Sequence, residues 1–320
     1  MNKHSALRSS GSLLERAAEI YDFGSALGRA KDSRPRPEPE LRPASVEAPS
    51  AAPPVQRPEQ VLLPAAPAQS APRQARSSGR RGTVDTASLA EAGYILPDAP
   101  VTGLAEEFRI IKRQLLLGVG RPGLSEEKSR SILICSAQPD EGKTFCAVNL
   151  ALSLANEKDV EILLVDGDFP KPEILSTLGL EGERGLIDAI ADPRIDPESL
   201  VIETDIRGLS VLPAGSHVNN VTELLASGRT REVLAALTGA NSRRLVLFDS
   251  PPALVASPAT VLATHVGQLV MVVRADRTTE ADLKEAVGLL SGCEDISLIL
   301  NGAGFAANGR RFGSYYGYGQ

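Results

Sequence analysis

From about Ser129 onward, short apolar runs alternate with stretches whose apolar positions recur every three or four residues. The runs at Ser131–Ser136, Glu161–Val165, Leu209–Leu212, Arg244–Phe248, Gln268–Val273 and Ser297–Leu300 predict strands. The longer period predicts helices over Thr144–Asn156, Val221–Ser227, Arg231–Gly239 and Glu280–Ser291. Strands apolar on both sides and alternating with helices imply an α/β fold, a mostly parallel sheet covered on both faces, in one domain over residues 100–305. A further helix is predicted from a Thr102 cap to Leu117. Leu104, Phe108, Ile111 and Leu115 make its apolar stripe, and Glu106, Arg109 and Lys112 lie on another face.

The N-terminal third reads differently. Ser12-Leu-Leu-Glu15 has the form of a capping box, with Leu13, Ala17 and Ile20 on one side, so residues 1–29 read as a short amphipathic docking segment. Prolines recur from Pro35 to Pro72, and residues 30–99 read as a Pro/Ala/Arg-rich, mostly disordered linker with a weak helix near Thr86–Ala92. Acidic residues outnumber basic ones, 40 to 34, so the chain has no overall field for a phosphate backbone and nucleic acid is not an expected partner. No window approaches the roughly 18 apolar residues of a membrane span, and Met1–Ile20 lacks the apolar core of a secretory signal. The expected location is the cytoplasm, with membrane attachment through a partner. Cys135, Cys146 and Cys293 form no C-x-x-C pair and read as buried hydrophobes.

The chemistry begins where the first strong strand ends. Ile132–Cys135 runs into Ser136-Ala-Gln-Pro-Asp-Glu-Gly-Lys-Thr144, followed by an Ala/Leu-rich helix. Backbone N–H groups from Ala137, Gln138, Pro139 (which has none), Asp140, Glu141 and Gly142 onward can wrap a β-phosphate at the positive end of that helix. Lys143 adds a charge for the β- and γ-phosphates, and the Thr144 hydroxyl can bind Mg²⁺. Ala137 stands where the usual pattern has its first glycine. Two more strands end in carboxylates, Leu163-Leu-Val-Asp166-Gly-Asp168 and Leu245-Val-Leu-Phe-Asp249-Ser-Pro-Pro252. In a doubly wound sheet these three aspartates converge on the crevice that holds Lys143. Each could instead cap the helix that follows.

These residues together resemble the bacterial protein-tyrosine kinases of exopolysaccharide export, and more loosely their exosortase-associated branch. Pro139–Thr144 is similar to that family's Walker A loop, Asp166 and Asp168 to its Walker A′, and Asp249–Pro252 to its Walker B. Glu106-x-x-Arg109-x-x-Lys112 is similar to its subunit-contact helix, and Ser314–Gln320 to its terminal tyrosine cluster. The resemblance implies a P-loop NTPase fold, ATP and Mg²⁺ as cofactors, and transfer of phosphate to Tyr315, Tyr316 and Tyr318 of a neighbouring subunit. It implies Lys143, Asp166 and Asp168 as catalytic residues, Asp166 on metal or base duty, and Thr144, Asp166 and Asp249 at the metal. Asn301, ending the last strand, matches a position where related ATPases bind adenine. Implied partners are a ring-like homo-oligomer, a membrane-embedded polysaccharide chain-length regulator and a cognate tyrosine phosphatase.

The chain departs from the family at Asp140, often Gly; at Pro170 and Lys171, often two Arg; and at Lys112, where Lys cannot reproduce the bidentate fork of Arg. Two other classes stay open. One is a partition- or division-site-type ATPase, whose signature lysine is Gln138 here. The other is a scaffold that binds ATP without transferring phosphate.

Overall fold

The computed structural model describes residues 80–97 and 100–303. The predicted docking segment, most of the linker and the tyrosine cluster lie outside the described residues. Eight strands form one sheet, in the order β1-β4-β5-β3-β6-β2-β7-β8. They are β1 (Arg80–Gly82), β2 (Ser131–Ser136), β3 (Glu161–Asp166), β4 (Ile202–Thr204), β5 (Leu209–Leu212), β6 (Arg244–Asp249), β7 (Gln268–Arg274) and β8 (Ile296–Asn301). All neighbours pair parallel except β4 with β5.

The period of two along each strand separates two cores. Ile132, Ile134, Ile162, Leu164, Leu245, Leu247, Val270 and Val272 face one layer. It includes α1 (Thr86–Glu91), α2 (Gly103–Gly118), α4 (Lys143–Ala155) and α5 (Ile174–Leu178). The intervening residues, from Leu133 and Cys135 to Leu269 and Met271, face the other. Its helices are α6 (Leu186–Ala191), α7 (Val221–Leu225), α8 (Gly228–Gly239), α9 (Pro258–Ala263) and α10 (Glu280–Leu289); a short α3 (Glu126–Ser129) precedes β2. A sheet buried on both faces is why its strands read as continuous apolar runs.

All six predicted strands are present, each within a residue of its predicted bounds. The structure differs at the domain's start. Residues 80–97, assigned by composition to the linker, belong to the α/β body. β1 extends the sheet beyond β4, Val84 and Leu89 are buried, and the Val84 N–H donates to Asp205 Oδ1 at 2.8 Å. Ile95 N–H donates to Asn149 Oδ1 at 2.8 Å, while Asn149 Nδ2 donates to Phe145 O at 2.9 Å. Asn149 is thus a fully buried amide satisfied by two backbone groups, one on each element it joins. The Tyr94 and Phe145 rings pack at 4.9 Å, so this segment rests directly on the helix that carries Lys143 and Thr144.

Helix α2 starts as predicted, with Thr102 Oγ1 accepting from Ala105 N–H at 3.1 Å, and buries Phe108 and Leu115. Lys112 is the correction. Steps of three along a helix drift by about 60° each, so Lys112 lies about 120° from Glu106 and turns inward. Its Nζ donates to Ser153 O at 2.8 Å and pairs with Glu157 at 2.8 Å, nearly buried, while Glu106 and Arg109 form a surface pair. Lys112 fastens α2 to α4. The three cysteines are free and buried, as read from the sequence. Burial pushes the Cys135 thiol up to about 11 and the Cys146 thiol up to about 12, which makes them poor nucleophiles. Among the described residues, no helix is long and apolar enough to cross a membrane.

Candidate active site

Strands β3, β6 and β2 are adjacent at the centre of the sheet, with Asp166 paired to Asp249 and Asp249 to Ile134 across the register. Their carboxyl ends therefore open at one level, and the loop 136–142 leaves from the same edge. That loop turns into α4 through two left-handed residues, Asp140 (φ 60°) and Gly142 (φ 91°). A side chain on Gly142 would collide with the Asn301 amide. Aspartate is among the few non-glycine residues that adopt the left-handed region readily, which suits Asp140 to this turn. Ala137 needs no such freedom. It is buried and continues the strand's pairing, its carbonyl accepting from Leu254 N–H at 3.2 Å.

The side chains meet as the motifs predict. Lys143 Nζ lies 2.6 Å from Asp168 Oδ2, and Thr144 Oγ1 donates to Asp249 Oδ2 at 2.6 Å. Asp168 Oδ1 accepts from Lys171 N–H at 3.3 Å, and the Lys171 side chain is turned outward to Glu173. Asp166 accepts at both oxygens from backbone, from Asp168 N–H at 3.2 Å and from Ile174 N–H at 3.1 Å. It thus accepts the first N–H of α5 from outside that helix, whose N-cap residue is Glu173.

The three carboxylates are buried and the Lys143 side chain is mostly so, which shifts Asp166, Asp249 and Lys143. Burial pushes Asp166 up to about 6, offset in part by its backbone donors. Burial pushes Asp249 up to about 7, against the pull of Lys143 and Thr144. Burial alone would lower the Lys143 ammonium, but Asp249 and Asp168 outweigh it and hold it above the ordinary lysine value. Asp249 Oδ1 is buried and has no hydrogen-bond partner. An orphaned carboxylate oxygen beside a threonine hydroxyl is a hard-oxygen donor set, and it fits Mg²⁺.

The raised carboxyl values set a pH dependence. A folded value above the unfolded one means the native state binds more protons, so the stability from the protonated form is complete below about pH 4 and is lost as pH rises through 6 to 7. Asp249→Asn removes one of these titrations and keeps an acceptor for Thr144. Without nucleotide or magnesium, the variant's melting temperature should exceed that of the unmodified chain by about 5 °C at pH 8, and by much less at pH 5. Thermal melts at both pH values check this; an excess independent of pH would contradict it.

Glu141 and Asn301 also make contacts within the chain that no motif specified. The Glu141 side chain turns away from the mouth of the loop and is buried, accepting from Gln138 N–H at 3.0 Å and from the Thr278 hydroxyl. The Asn301 amide donates to Glu141 O at 2.8 Å, so one of its two protons is engaged by the loop itself. Gln138 Nε2 donates to Asp282 Oδ1 at 3.3 Å. A cleft of about 390 Å³ opens over Gln138–Glu141 and is bounded by Arg277, a residue no motif singled out. Larger hollows of about 520 and 700 Å³ lie at the β1 edge and beside Asn156, away from the aspartates, and carry no comparable chemistry.

No family model matches the chain. The tyrosine-protein kinase YwqD of Bacillus subtilis is 29% identical over 195 residues, which cover 60% of this chain and 78% of that protein. The chimerical protein CapA2B2 superposes with a TM-score of 0.56 at 25% identity, covering 69% of this chain and 92% of that one. The VpsO kinase domain superposes with a TM-score of 0.53 at 32% identity, covering 62% of this chain and 93% of that one. The chain belongs to the bacterial tyrosine kinases. Its P-loop fold is that of the family, and the kinase body with its β1–α1 extension accounts for all the described residues. Asp140 adopts a left-handed turn and Lys112 forms an internal ion pair.

Proposed function

We propose that this chain is an ATP-dependent protein-tyrosine autokinase serving exopolysaccharide synthesis or export, and that the crevice at the ends of β2, β3 and β6 is its phosphoryl-transfer site. The observation that carries the reading is the meeting of Lys143 with Asp168 and of Thr144 with Asp249 in one buried crevice. Phosphoryl transfer needs positioning and neutralised charge more than covalent chemistry. Lys143 would exchange Asp168 for the β- and γ-phosphates, while N–H groups at the start of α4 hold the β-phosphate. Thr144 and Asp249 would hold Mg²⁺, which would supply neutralising charge for the phosphates. Asp166, raised to about 6 and fixed in orientation by two backbone donors, has the basicity of a proton acceptor. A tyrosine hydroxyl titrates near pH 10, so its proton would leave late, as the bond to phosphorus forms. Asn301 keeps a carbonyl and a second amide proton for a base.

The proposed acceptors are Tyr315, Tyr316 and Tyr318 of a neighbouring subunit. Each phosphate would add about −1.5 to −2 charges and be repelled by the acidic crevice. Attachment to the inner membrane would come through a chain-length regulator, and a cognate phosphatase would reset the tail. Incubating the full chain with radiolabelled ATP and magnesium tests the reading. Label on tyrosine supports it; released phosphate without label would favour a partition-type ATPase, and neither product would favour a scaffold.

Assembly into a ring is proposed to use Arg109, which is exposed, and its partner Glu106, which is partly so. Glu106→Ala with Arg109→Ala should lower the mass seen by light scattering by at least about half, and leave circular dichroism unchanged. An unaltered mass would make the pair a solvated surface bridge of small worth.

A further inference from the structure

Glu141 is an anomaly in a loop meant for a polyanion. It places a carboxylate within two residues of Lys143, and electrostatics alone would disfavour it there. The structure shows where the charge goes. The side chain is only 2% exposed and bridges two partners, the Gln138 N–H within the loop and the Thr278 hydroxyl in the turn between β7 and α10. Thr278 in turn accepts from Arg274 N–H at 2.8 Å at the end of β7. On the other side, the Glu141 carbonyl accepts from Asn301 at the end of β8. One residue therefore ties the loop to the ends of two further strands through its side chain and its backbone.

We propose that Glu141 is a positioning residue, which sets nucleotide affinity by bracing the phosphate loop against the β7–α10 turn through Thr278. The inference rests on the reading of this loop as a nucleotide site. The loop has one glycine, Gly142, between Ser136 and Lys143, and Asp140 carries a left-handed turn without one. Two anchors at Glu141 hold that turn between them. They spend the Gln138 N–H on the carboxylate and leave the N–H groups at the start of α4 for the phosphates. Preorganised donors cost no rearrangement on binding, so loss of the brace should appear in affinity before it appears in the rate of transfer.

The test uses the full chain, with ADP titrated by calorimetry and ATP varied in the labelling assay. Glu141→Gln removes a negative charge, so simple electrostatics predicts tighter ADP binding. The brace predicts the opposite, because a glutamine has one acceptor oxygen where two are used; ADP should bind about tenfold more weakly. Thr278→Val keeps the volume and loses the hydroxyl, and should also weaken ADP about tenfold. Thr278→Ser keeps the hydroxyl and loses the methyl, and should stay within about twofold of the unmodified chain. In Thr278→Val the KM for ATP should rise while kcat changes little. Tighter binding by Glu141→Gln, unchanged binding by Thr278→Val, or equal losses in the valine and serine variants would each overturn the brace. Failure of the unmodified chain to bind ADP would remove the nucleotide site itself, and the brace with it.

Discussion

Lys143→Met leaves a folded protein that binds ATP at least about 100-fold more weakly and transfers no label to tyrosine. Two effects combine. The variant loses the ammonium beside Asp168, and with it the charge-assisted contact to the transferred phosphate. It also leaves Asp168, Asp166 and Asp249 buried together with no cation among them, where Lys143 now stands 2.6 Å from Asp168. Removing one partner of a buried pair destabilises more than the pair stabilises, because the remaining charge stays desolvated. The variant should therefore melt several degrees lower at pH 8 and recover part of the loss at pH 5, where Asp166 and Asp249 take up protons. Normal labelling by the purified variant would refute the assignment of the phosphate loop. A melting temperature indifferent to pH would place the three carboxylates in better contact with water than the structure has them.

Replacing Tyr315, Tyr316 and Tyr318 together by Phe should remove most autophosphorylation, a loss of about tenfold or more, while ADP binding stays unchanged. Only acceptor hydroxyls are deleted, and ring size is kept. Mixing this triple variant with Lys143→Met protein separates transfer within a chain from transfer between chains. The triple variant supplies a working site without acceptors, and the lysine variant supplies acceptors without a working site. Label should then appear on the Lys143→Met chains. A mixture that stays dark, while the unmodified protein labels normally, would exclude transfer in trans. Full labelling of the triple variant alone would move the acceptor to Tyr21 or Tyr94, the two remaining tyrosines. Tyr94 is half-buried against Phe145, and burial holds its hydroxyl above the usual tyrosine value, so its phosphorylation would require its segment to undock.

The central strands were legible because each is buried on two faces and ends in a residue with a chemical task. Asp166, Asp249 and Lys143 are therefore marked twice, by pattern and by motif. β1 and β4 carry three residues each, too few to show a period, and β1 is Arg-Arg-Gly with little to distinguish it from the basic linker before it. The helices α5, α6 and α9 span five or six residues and hold their places by tertiary packing. Lys112 misled because spacing alone does not tell a long side chain that lies along the surface from one that reaches under a neighbouring helix. Glu141 could be found in the motif but its role could not. Thr278 is 137 residues away and reaches the loop only when β7 has taken its place beside β2.

The docked segment that begins at Arg80 bears on how the kinase body can be cut out for study. A fragment started at residue 100, where the composition changes, would strip Val84 and Leu89 from the core and the Tyr94 ring from Phe145. It would also leave β4 as the sheet's outermost strand, with the N–H and C=O groups now paired to β1 unpaired. Such an edge recruits strands from other molecules. The shortened protein should precipitate on concentration, and a fragment beginning ahead of Arg80 should remain monodisperse.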